Sequence, residues 1–126
     1  MNNYIWITAE KEFIHNYPDA PKEVLYLRDL HRHMFKFKVY LEIFSKDRDV
    51  EFIMFKHFVQ DCLKKLPYNL ENTSCEMLAN KLNVEIKKKY GYRNTMIEVS
   101  EDGENGVMKQ YNDAFEYFIN MNTVKK

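Results

Sequence analysis

Two histidines one residue apart, His31 and His33, open the alternating stretch LHRHMFKFKVYLEIF at residues 30–44. On a β-strand the side chains of residues i and i+2 point the same way, with Cα atoms roughly 6–7 Å apart. Two imidazoles so placed can converge on one ion. A third histidine, His15, directly follows NYIWITAEKEFI (residues 3–14), whose aromatic and β-branched content reads as a neighbouring strand. Three imidazole nitrogens with one position left open form the arrangement a catalytic zinc needs, and other divalent metals accept the same set. The spacing alone also fits two solvated histidines beside Arg32, with His15 in an unrelated loop.

The elements that must position these rings are written in the patterning. Phe35, Phe37, Val39, Leu41 and Ile43 alternate onto one face, which His33 shares, as does His31 if the strand reaches it. Residues 16–30 contain Pro18 and Pro21 and read as a turn-forming cluster that breaks regular structure. SKDRD is a polar turn. From Val50, apolar residues at 52, 55, 59, 62, 63 and 66 form a helical stripe. After the connector PYNLEN, a second helix opens with Thr73 and Ser74 as cap candidates. Glu76, three residues after Thr73, predicts a capping box. Its apolar positions are 78, 82 and 86, Lys87–Lys89 suit its C-terminal end, and Gly91 stops it. TMIEVSE and VMKQYN flank the turn DGENG as a hairpin. The final stretch, DAFEYFINMNTVKK, fits either a helix or a strand. The order β-β-α-α-β-β describes one α+β domain over residues 1–126, its antiparallel sheet carrying two helices on one face.

Composition narrows the classes. The formal net charge is zero, so no basic field points to nucleic acid or an anionic membrane. No apolar run approaches the roughly 18 residues of a membrane helix, and MNNYIWITAEKEF lacks the layout of a signal peptide. The expected location is cytoplasmic, where Cys62 and Cys75 are free thiols rather than a disulfide framework.

Five segments occur in the order FIHNYPDAP, LHRHMFKFKVYLEI, DVEFIMFKHFV, NLENTSCEMLANKL and IEVSEDGENGVMKQY. Together, over about residues 4–111, they resemble the 6-pyruvoyltetrahydropterin synthase family, including its 6-carboxytetrahydropterin synthase branch. The resemblance implies the tunnelling fold (T-fold), a four-stranded antiparallel sheet with two helices that joins copies into a barrel. It implies a homo-oligomer, a trimer or hexamer, with sites at subunit interfaces. It also implies Zn2+ as cofactor, held by His15, His31 and His33. Glu101 becomes the carboxylate that grips a pterin through two N–H groups, a planar, charge-assisted match. Glu76 corresponds to a substrate-side glutamate, although helix capping accounts for it equally well. The implied reaction is a lyase step on 7,8-dihydroneopterin triphosphate. The pathway it would serve, deazaguanine (queuosine), biopterin or folate-like, is left open.

The chain departs from the family pattern at four places, the first two of which concern proton transfer. Leu27 stands where the family carries a cysteine four residues before the His-x-His pair, and leucine moves no proton. Asp61 and Cys62 fall where the family has an Asp-His relay, and they become the candidate catalytic pair. Cys75 occupies the position of the serine in the family's Thr-Ser-Glu segment, and Arg32 replaces a glycine between the two histidines. His57 and Lys56, on the first helix, read as structural or interface residues. Two further classes therefore stand beside the enzyme: a catalytically impaired pterin- or purine-binding paralogue, and an α+β interaction module with incidental histidines.

Overall fold

A computed structural model describes residues 2–44 and 47–113. Residues 114–126, most of the final stretch, and Ser45 and Lys46 of the polar turn lie outside the described residues. Strands β1 (Asn3–His15), β2 (His31–Ile43), β3 (Thr95–Glu101) and β4 (Asn105–Tyr111) form one antiparallel sheet in the order β1-β2-β3-β4. Helices α1 (Phe52–Lys64) and α2 (Cys75–Tyr90) intervene between β2 and β3. The α+β architecture and the antiparallel sheet are those the patterning predicts.

Alternation decides which face is buried. Ile7, Ala9 and Phe13 of β1, Phe35, Phe37, Val39 and Leu41 of β2, and Ile97 and Val99 of β3 point one way into the core. There they meet Phe55, Val59 and Leu63 of α1 and Leu78, Ala79, Leu82 and Ile86 of α2. Burying a large apolar side chain contributes about 1.5–3 kcal/mol, so this layer carries much of the fold. α1 lies against β1, and α2 lies against β3 and β4. The opposite face keeps its charges: Glu10, Lys36, Lys38 and Glu98 line an open groove of about 850 Å³ that contains no histidine.

Three local expectations need correction. Lys22–Arg28, within the predicted turn-forming cluster, forms a 3-10 helix kinked at Val24 (φ −133°). Pro21 enters it at φ −66°, and the Pro21 carbonyl accepts from Val24 N–H at 3.0 Å, the short-range closure that such turns use. The cap of α2 is Ser74, whose hydroxyl accepts from Met77 N–H at 3.1 Å. Thr73 instead donates its hydroxyl to the Leu70 carbonyl, so Glu76 sits in the first turn without closing a capping box. Phe52 remains 54% exposed although it continues the α1 stripe, because periodicity reports a face and not how far the facing layer extends. Cys62 and Leu66 of the same stripe are partly buried against the core.

Candidate metal centre

The register of β1 and β2 builds the site. His15 and His31 are direct cross-strand partners, and His33 pairs with Phe13 one step along the same face. Strand β3 adds the fourth group, because Glu101 pairs with Phe35 at the end of its ladder. The three imidazole rings lie 4.5–5.6 Å apart, centroid to centroid. One ligand atom from each of His15, His31, His33 and Glu101 lies within 4.8 Å of every other. Phe35, fully buried, packs edge-on against His15 at 5.0 Å and His33 at 6.0 Å, forming the apolar floor.

Hydrogen bonds orient each ring the same way. His15 Nδ1 lies 2.8 Å from the Thr73 carbonyl and His31 Nδ1 lies 2.9 Å from the Asp29 carbonyl. A carbonyl oxygen only accepts, so both nitrogens carry their proton and donate it. His33 Nδ1 lies 2.7 Å from Asp102 Oδ2. The His33 hydrogen bond, with that from Met34 N–H, holds the Asp102 carboxyl below its ordinary range, so an ionised acceptor faces this ring too. With the proton on Nδ1, a neutral ring carries a lone pair at Nε2, and the Nε2 atoms of His15 and His33 turn toward Glu101.

This convergence leaves a deficit. His15 Nε2 lies 2.8 Å and His33 Nε2 3.5 Å from Glu101 Oε2. Neither contact has hydrogen-bond geometry, and both nitrogens are buried without a hydrogen-bond partner. Lone pairs facing a carboxylate oxygen in a site where His15 is 92% buried repel one another unless positive charge lies between them. A divalent cation fits that requirement, and donation of Nδ1–H to a protein acceptor is the arrangement of metal-ligating histidines. The group can therefore hold a metal ion.

The loops hold the acceptors in place. Residues 68–71 run beside the end of β1, with Ile14 N–H bonded to the Tyr68 carbonyl (3.0 Å) and Asn16 N–H to the Glu71 carbonyl (2.9 Å). This carries Thr73 to His15. Tyr17 N–H bonds the Leu27 carbonyl at 2.7 Å, and Arg28 clasps the Ala20 carbonyl through two N–H groups, setting Asp29 beside His31.

Beside the rings opens a cavity of about 530 Å³, whose lining includes His15, His31, Leu27, Cys75, Glu76 and Glu101. Five of the seven predicted site residues come together: the three histidines and Glu101 as one group, with Glu76 lining the cavity beside them. Asp61 and Cys62 do not join them within the chain. Asp61 is exposed on α1, and Cys62 lines a separate groove with Leu66, Leu78 and Leu82. His57 is exposed on α1, outside the group. The thiol present in the cavity is that of Cys75, the first residue of α2. A helix N-terminus ordinarily lowers a thiol pKa. Here burial, then the charges of Glu101 and Glu76, push Cys75 up to about 12. Asp102 was not a predicted site residue. Its signal is an acidic residue adjoining the glycine of a hairpin turn, which sequence alone reads as turn chemistry.

Comparison of the chain with protein-family models and with curated proteins gives no match in either. Among the described residues, no helix is long and apolar enough to cross a membrane.

Proposed function

We propose that the chain is a zinc-dependent lyase of the pterin synthase type, acting on 7,8-dihydroneopterin triphosphate within a T-fold homo-oligomer. The observation that carries this reading is the deficit at Glu101: buried imidazole lone pairs aimed at one point beside a cavity that also holds Glu76. His15, His31 and His33 would hold the ion. When bound, zinc supplies Lewis acidity that polarises substrate oxygens and acidifies neighbouring C–H groups. The chain does the rest. The Glu101 carboxylate accepts the paired N–H groups of a pterin edge, and Phe35 excludes water from beneath the rings. Cys75 brings a titratable thiol to the wall that Leu27 leaves without one.

A second reading, a pterin- or purine-binding protein without turnover, is favoured by one specific observation. Leu27 lines the cavity while Asp61 and Cys62 lie away from it. The two readings separate in one experiment. Purified protein is assayed for metal by elemental analysis and for turnover of 7,8-dihydroneopterin triphosphate. About one ion per chain with turnover supports the lyase, and one ion with pterin binding alone supports the second reading. Neither metal nor pterin binding leaves an interaction module. A monomer by light scattering at micromolar concentration counts against the barrel.

A further inference from the structure

His33 differs from the other two rings in what holds it. His15 and His31 donate to backbone carbonyls, which any side chain at Thr73 or Asp29 would preserve. His33 donates to a side chain, that of Asp102. This aspartate is built into the hairpin between β3 and β4 and also into β2. Its own N–H donates to the Met34 carbonyl at 2.8 Å, and its Oδ1 accepts from Met34 N–H at 2.9 Å. Its backbone sits at φ +59°, in the left-handed region, which aspartate, asparagine and glycine tolerate best. One oxygen of the carboxylate is thus committed to the strand, and the other is left for the imidazole.

We propose that Asp102 is the positioning residue of this centre, fixing His33 as the Nδ1–H tautomer so that its Nε2 lone pair faces Glu101. The inference rests on the metal reading above. A carboxylate acceptor forms a stronger, charge-assisted bond than a carbonyl does, and a partner of this kind fixes both the ring's orientation and its tautomer. Losing such a partner typically weakens metal binding by about 10- to 100-fold.

Asparagine makes the sharpest test. Asp102→Asn keeps the size and the left-handed backbone but has only one oxygen. With that oxygen on Met34 N–H, the amide nitrogen presents hydrogens to His33 Nδ1. Met34 cannot change its donor, whereas His33 can, by moving its proton to Nε2. That turns the lone pair needed for a metal into an N–H. Asp102→Gly keeps the backbone freedom and removes the acceptor altogether.

The experiment pairs nitrogen NMR of the imidazoles in metal-free protein with zinc affinity by chelator competition. The wild-type protein should show His33 protonated on Nδ1, and Asp102→Asn should show it protonated on Nε2. Both variants should bind zinc about 10- to 100-fold more weakly. Wild-type binding with unaltered affinity in both folded variants overturns the inference alone. If a variant fails to fold, the wild-type spectrum decides, because an Nε2–H His33 overturns the proposal without any variant. A wild-type protein that takes up no zinc overturns the metal reading, and this inference with it.

Discussion

Leu27 and Cys75 line one cavity beside His15, the first from the 3-10 segment and the second from the start of α2. A proton-carrying side chain is absent from one wall and present on another. If Cys75 moves the proton in turnover, Cys75→Ala should lower kcat by roughly 100-fold or more, the usual worth of acid–base help. Leu27→Cys should raise it. Steady-state assays of both variants check this, and an unchanged Cys75→Ala places the base elsewhere.

The thiol of Cys75 also predicts a pH profile. With its pKa pushed up to about 12 by burial and by Glu101 and Glu76, little thiolate exists near neutrality. In a Cys62→Ser background, the alkylation rate of metal-free protein should still be climbing above pH 10. Zinc should move that profile to lower pH, because a cation beside Glu101 offsets the charge that raises the thiol. A plateau near pH 9 in metal-free protein would contradict the environment described for Cys75.

Phe35 links the core to the site, being fully buried and in edge contact with Phe13, His15 and His33. Phe35→Ala should cost about 3–5 kcal/mol of stability, measured by chemical denaturation. Zinc affinity should fall as well, since two rings lose their floor. Phe55→Ala, at an equally buried position on α1 and outside the histidine group, should lower stability while leaving zinc affinity of the folded protein near wild type.

Gly106 on β4 is the antiparallel partner of Ser100 on β3. A Cβ there would meet the Val99 carbonyl oxygen at 2.1 Å and Ser100 Cα at 2.6 Å, both backbone atoms that cannot swing away. Gly106→Ala should therefore cost about 1–3 kcal/mol by overpacking. Because Ser100 precedes Glu101 and Asp102, the variant should also weaken zinc binding, read by chelator competition. Gly103→Ala, where the nearest neighbour is the flexible Lys36 side chain, should do so less, its cost coming from φ +74°.

Much of the scaffold is legible in the sequence because alternation and helical periodicity are local signals. TMIEVSE coincides with β3, Gly91 caps α2 at φ +82°, and His33 shares the face of Phe35 as spacing predicts. The convergence of His15 with His31 depends on strand register, which the motif order anticipates and the ladder shows. What escapes is whatever depends on chains meeting at a distance. Asp102 reaches His33 only because a left-handed turn folds back onto β2. Cys75 enters the cavity because Ser74, not Thr73, sets the start of α2, a choice made when Thr73 turns its hydroxyl to Leu70. Asp61 and Cys62 became candidates only by their position in the chain, but helical phase sends Asp61 to solvent and Cys62 toward α2.

The three acceptors that hold the imidazoles come from three separate connections: Asp29 ahead of β2, Thr73 ahead of α2, and Asp102 between β3 and β4. An ion held by the three rings would tie those connections into one cooperative unit. At a free concentration of 1,000 times its Kd it would add about 4.1 kcal/mol to their resistance to opening. Amide hydrogen exchange should then slow in step at all three places when zinc is added, and quicken in step when a chelator takes it away.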